Sequence, residues 1–161
     1  MKPLSRGVLR YLGATLPIYL SVIQLLSLLY SVALLAPAEP IQVEVLSSTT
    51  GGKVYLAVYD NPDDFDEEVH LVNASTELAA TADRAELALQ LPEAGRYVLA
   101  AFQDLNGNGK LDRNFFGVPT EPYGFSKLPP TKWRAPSFGE LATKLEGSDR
   151  VKIEMRRWSE Y

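Results

Sequence analysis

Residues 41–60, IQVEVLSSTTGGKVYLAVYD, decide the fold. Ile41, Val43 and Val45 alternate with Gln42 and Glu44, which gives an extended chain one apolar and one polar face. Thr50-Gly51-Gly52 reads as a turn. In KVYLAVYD, Val54, Leu56 and Val58 share one face while Tyr55 and Tyr59 take the other, as in a strand that is central or covered on both sides. A period of two is incompatible with a helix, whose apolar face repeats at 3.6.

The same period recurs downstream. Composition over Glu77 to Leu91 favours a helix, yet AELALQL sets Leu87, Leu89 and Leu91 against Glu86 and Gln90, so two strands are expected there. Pro92 to Gly95 turns the chain into RYVLAAFQ, a strand that runs directly to Asp104. ELATKLEG and RVKIEMRRW should pair around Gly147-Ser148-Asp149, with Val151, Ile153 and Met155 inward and Lys152, Glu154 and Arg156 outward. About seven short strands at this spacing predict an all-β chain, an antiparallel β-sandwich of immunoglobulin-like or transthyretin-like type.

An N-terminal hydrophobic helix should precede it. Lys2, Arg6 and Arg10 lead into Tyr11 to Ala38, which carries no charge and ends on Ala36-Pro37-Ala38. This is the pattern of a secretory signal, or of an uncleaved anchor, since about 20 apolar residues span a bilayer. Residues 1–38 are therefore read as signal peptide or signal anchor and 39–161 as the folded domain. Export to the periplasm, cell surface or medium follows, with membrane contact only through residues 11–35 if the segment is retained.

Loss of residues 1–38 would remove three of 16 basic groups and none of 20 acidic ones, leaving a formal charge of −7. Such an acidic balance argues against a nucleic-acid partner, whose phosphates need clustered Lys and Arg, and suits cations better. The absence of cysteine excludes disulfides, thiolate catalysis and Cys-ligated zinc.

Residues 103–116, QDLNGNGKLDRNFF, place Asp104, Asn106, Asn108, Gly109 and Asp112 in the order D-x-N-x-N-G-x-x-D. A calcium loop needs hard oxygens at alternate positions, a glycine at the sixth and a backbone carbonyl at the seventh, here Lys110. Phe115 stands at the twelfth, where an EF-hand has its glutamate, and a strand precedes the loop. The expectation is a strand-bounded calcium loop at 104–112 that borrows a carboxylate from Glu121 or from the acidic run Asp60–Glu68. The competing reading is a solvated turn, because Asn-Gly pairs adopt positive φ without a metal.

Gly117 to Ser137, GVPTEPYGFSKLPPTKWRAPS, fits no strand and holds five of 11 prolines with Tyr123, Phe125 and Trp133. Those aromatics serve either as core plugs or as a platform for a protein or glycan ligand of the cell envelope. His70 is the single histidine, so a histidine metal cluster is excluded; a serine–histidine pair would need a serine such as Ser126 brought close in space, and a lone His beside an acidic run is far more often a solvated surface residue. Asn73-Ala74-Ser75 matches a glycosylation acceptor by a short motif with a high chance rate.

GKVYLAVYDNPDDF, the run from Gly95 to Ser126 with F-G-x-P-x-E-x-Y-G-F-S, and APSF together resemble the bacterial exported family known as domain of unknown function 2141. The resemblance implies a single immunoglobulin-like domain behind a signal peptide, with no established activity. It supports Asp104, Asn106, Asn108 and Asp112 as the family's loop and Glu121, Tyr123, Gly124 and Phe125 as its companion motif. Gln103 stands where the resemblance implies a His. The reading is a non-catalytic, calcium-stabilised envelope module; a small hydrolase using carboxylates near Asp104 and Glu121, and a membrane-anchored structural protein, are the alternatives.

Overall fold

The computed structural model describes residues 22–28 and 39–161. Residues 22–28 form an exposed helix, α1. The rest of the expected signal or anchor over 1–38 lies outside the described residues. Among those described, no helix is long and apolar enough to cross a membrane.

The chain divides into two compact units, Met1–Pro37 and Ala38–Tyr161. The second holds eight strands: β1 (Ile41–Ser47), β2 (Lys53–Tyr59), β3 (Val72–Glu77), β4 (Arg84–Leu89), β5 (Gly95–Asp104), β6 (Tyr123–Phe125), β7 (Thr143–Leu145) and β8 (Arg150–Met155). One sheet has the order β4-β1-β8 and the other β3-β2-β5-β6, with β7 pairing the start of β5 beyond β6. The unit is all-β apart from short helices, as the period-two reading requires.

The alternation seen in the sequence becomes the core. Ile41, Val43, Val45, Leu87, Leu89, Val151, Ile153 and Met155 of the first sheet pack with Val54, Leu56, Val58, Leu99 and Ala101 of the second. A smaller cluster forms on the outer face of the second sheet, where Tyr59 and Val98 meet Leu141 and Phe65. Helices α2 (Pro62–Asp66) and α3 (Phe138–Leu141) supply Phe65 and Leu141, which is why β2 and β5 carry apolar residues on both faces. Both cores and both sheets lie within Ala38–Tyr161, so this unit has what it needs to fold alone.

Four expectations change. The sheet pairing is not wholly antiparallel, because β1 runs parallel to β8, with Val43 opposite Val151 and Val45 opposite Ile153. The segments around Gly147-Ser148-Asp149 do not pair with each other; β7 joins β5 and β8 joins β1, so the turn crosses between sheets. Of the two strands expected between Glu77 and Leu91, the first lies almost entirely earlier, at Val72–Glu77, a polar edge strand beside β2. The Pro-rich segment 117–137 does contain a strand, β6, and Tyr123 bridges to Arg156 by a reciprocal pair of backbone hydrogen bonds of 3.0 and 2.9 Å.

The acidic run 60–68 is also more ordered than a solvated loop. Asn61 caps α2 by accepting from the Asp64 N–H at 2.9 Å, and Pro62 sits where no N–H is needed. Phe65 turns inward against Tyr59 and Phe138.

Candidate functional site: the 104–121 loop

Strand β5 positions the site. Tyr97, Leu99, Ala101 and Gln103 share its inward face, so the alternation that builds the core delivers a polar side chain to the core's end. Gln103 is fully buried at 0 % exposure. Its Oε1 accepts from Ser47 Oγ at 2.5 Å, and its Nε2 donates to the carbonyls of Thr49 at 2.9 Å and Gly51 at 2.5 Å. A buried amide with all these partners acts as a clamp between β5 and the β1–β2 connection. Sequence reasoning noted Gln103 only as a departure; its in-facing parity was the available signal.

Asp104 follows, 1 % exposed. Its Oδ1 accepts from the backbone N–H of Gly107 at 2.7 Å and of Asn108 at 3.3 Å, and its Oδ2 from Gly109 at 2.7 Å. Gly107 and Gly109 have φ of 78° and 75°, the left-handed conformation that turns these amides toward the carboxylate. Burial alone would raise the Asp104 pKa, but the N–H donors of Gly109, Gly107, Asn108 and Asn106 outweigh it and hold the group below the ordinary carboxylate value.

The remaining predicted ligands converge on the same loop. Asn106 Nδ2 donates to Asp112 Oδ2 at 2.6 Å, and Asn108 Nδ2 reaches both Asp112 oxygens at 3.0 and 3.1 Å. The Asn oxygens hold the turn: Asn106 Oδ1 accepts from Asn108 N at 3.0 Å, and Asn108 Oδ1 from Lys110 N at 2.9 Å. Glu121 is 5 % exposed and joins the two ends, its Oε1 accepting from Leu105 N at 2.8 Å and its Oε2 from Asp112 N at 3.1 Å. The acidic run reaches this region through Glu68, which pairs with Arg113 at 3.4 Å.

Hydrogen bonds thus tie Asp104, Asp112 and Glu121 to one loop, and no salt bridge among the described residues involves any of them. Equally, no three His, Asp or Glu side chains among the described residues are placed to hold a metal by themselves. A cation here would have to draw on the Asn amide oxygens and on backbone carbonyls such as that of Lys110, the donor set a hard divalent ion accepts. Beside the loop lies an open groove of about 450 Å³, lined by Lys53, Tyr55, Glu77, Asp104 and Asn106 among others.

The three predicted binding aromatics separate. Tyr123 and Phe125 are half-buried neighbours at 6.2 Å, Tyr123 stacks on Tyr161 at 5.0 Å, and Phe125 packs against the outer cluster. Trp133 is exposed and meets Trp158 edge-on at 5.5 Å, with the Lys132 ammonium 4.7 Å from the Trp158 ring. His70 is exposed and contacts Asn73, while the Ser126 hydroxyl is buried with no hydrogen-bond partner among the described residues.

A family model described as "Uncharacterized protein conserved in bacteria (DUF2141)" matches residues 41–153. No curated protein and no solved structure matches the chain.

Proposed function

The chain belongs to this family of uncharacterized bacterial proteins, and we propose that it is an exported, calcium-stabilised β-sandwich module with a non-catalytic binding or structural role in the cell envelope. One observation carries the reading: Asp104 and Glu121, held by backbone N–H donors, and Asp112, held by the Asn106 and Asn108 side-chain amides, belong to a single hydrogen-bonded loop and have no cationic partner among the described residues. A loop so rich in carboxylate, amide and carbonyl oxygens offers the hard donors that calcium takes. Asp104, Asn106, Asn108, Asp112 and the Lys110 carbonyl would hold the ion, with Glu121 lending the further carboxylate.

The body behind the loop is best described as transthyretin-like within the immunoglobulin-like class. The seven-strand immunoglobulin order keeps its first two strands in one sheet, whereas β1 and β2 here belong to different sheets. A protein or glycan ligand would be met on the 104–112 loop and the Pro-rich segment, since loops on a rigid sandwich carry recognition.

Calcium should raise the melting temperature of the Ala38–Tyr161 unit. With the affinity of about 10⁻⁴ to 10⁻³ M usual for extracellular modules, millimolar calcium adds on the order of 1 kcal/mol. That is roughly 3 to 6 °C for a domain of this size, reversed by chelator. The Asp104→Ala, Asp112→Ala double variant should not respond; an equal shift in both proteins would sink the assignment.

A further inference from the structure

The cation loop leads straight into a short hairpin. Thr120 donates to the Asp112 carbonyl through its N–H at 2.9 Å and its hydroxyl at 3.2 Å, and Asn114 N donates to the Val118 carbonyl at 2.9 Å. Arg113 and Pro119 bridge across. Asn114 Oδ1 accepts from the N–H groups of Phe116 and Val118 at 3.0 and 3.1 Å, and Gly117, at φ 75°, donates its N–H to the Asn114 carbonyl. The turn is therefore tightly built.

What this turn displays is two phenylalanines. Phe115 is 97 % exposed and Phe116 84 %, touching only edge to face at 5.5 Å. A rigid turn that holds adjacent aromatic side chains fully in water is unfavourable unless something apolar receives them. The tip is convex, so its counterpart must yield around it. Phenyl rings bring no polar group needing a partner, which suits hydrocarbon.

Lys110 and Arg113, both exposed, flank the tip, Arg113 meeting the exposed Glu68 at 3.4 Å, while Asp104 and Glu121 are turned inward to backbone amides and Asp112 accepts from the Asn106 and Asn108 side chains. That surface pair is weak and can exchange for a phosphate, so Lys110 and Arg113 offer two cations beside the rings, against an acidic domain. An interfacial site needs this combination, apolar rings for the acyl boundary and cations for anionic headgroups.

We infer that the Phe115–Phe116 tip inserts into the surface of an anionic phospholipid bilayer, with Lys110 and Arg113 against the phosphates. The hairpin starts at Asp112 and ends beside Glu121, so a cation in the loop would brace its base. The inference rests on the envelope reading only for the presence of a bilayer within reach.

The test is co-sedimentation of the Ala38–Tyr161 unit with vesicles of phosphatidylethanolamine and phosphatidylglycerol, with calcium and with chelator. Using this unit leaves out the apolar N-terminal segment, which would bind lipid itself. Phe115→Ser, Phe116→Ser should weaken binding at least about tenfold, since burial of even one phenyl ring is worth that factor. Both positions are exposed, so its melting temperature should match the wild type.

Binding to phosphatidylcholine vesicles should be much weaker. Equal sedimentation of wild type and variant, no sedimentation of the wild type, or undiminished binding to neutral vesicles would each overturn the inference. So would a wild-type dimer that the variant abolishes, which would assign the tip to a second copy. Sedimentation that needs the two phenylalanines supports the tip whether or not calcium raises the melting temperature, so the two readings fail separately.

Discussion

Asp104→Ala should destabilise the protein by about 2 to 3 kcal/mol in urea denaturation at neutral pH with chelator present, because a carboxylate accepting several N–H bonds is lost at once. The N–H groups of Gly107, Asn108 and Gly109 would have to turn to water, and the left-handed glycines that aim them would have no reason to stay ordered. Asp104→Asn should fall between, since it keeps one acceptor but turns an amide N–H toward a donor. A cost below about 0.5 kcal/mol for Asp104→Ala, the range of neutral surface substitutions, would mean the carboxylate does not organise the loop.

The pH dependence follows from the same bonds. The Asp104 carboxyl titrates lower in the folded protein than in the unfolded chain. Its contribution is therefore complete above the unfolded value near pH 4 and disappears as pH falls through the folded value. The stability gap between wild type and Asp104→Ala should stay constant from neutral pH to about 5 and narrow below about 4. A gap that widened on acidification would contradict the hydrogen-bonded, ionised state.

How much of this was legible depended on whether the signal was local. Strands β1, β2, β5 and β8 announce themselves because their apolar residues alternate and their own burial fixes the period. Strand β3 is an edge with no large apolar side chain except Val72, so its pairing with β2 decides it and its sequence does not. Pairing partners were illegible in the same way: nothing local makes β7 choose β5, or makes β8 lie parallel to β1. For the site, Asp104, Asn106, Asn108 and Asp112 of the D-x-N-x-N-G-x-x-D register share one hydrogen-bonded loop, because an Asx-rich turn closes on itself.

Glu121 reached the loop through the motif that follows it, although its hydrogen bonds to Leu105 and Asp112 are non-local. Gln103 was different: only its place on the inward face of β5 marks it as a buried clamp. Phe115 and Phe116 ran against expectation most sharply, since apolar residues normally go inside. Asn114 and Gly117 carried the turn signal that puts them out in water.

Gly52→Ala is expected to cost about 3 kcal/mol or more, the largest single-site loss outside the core. Two effects coincide there. Its φ of 77° is strained for any L side chain, and a Cβ would lie 2.4 Å from the Asp104 carbonyl oxygen and 3.3 Å from the Leu105 Cα. Both obstacles are backbone, so no rotamer change relieves them. Gly107→Ala separates the effects, because Gly107 has φ 78° but nothing within 4 Å of the added carbon. It should lose only the left-handed penalty of about 1 to 2 kcal/mol. The difference between the two variants measures the clash, and the clash pushes on the residue that starts the loop. Gly52→Ala should therefore also abolish the rise in melting temperature proposed for the wild type with calcium, while Gly107→Ala should retain part of it. Equal losses in stability for the two substitutions would show that Gly52 is kept for its conformation alone, and that the close approach of the β1–β2 turn to Asp104 does not hold the site in place.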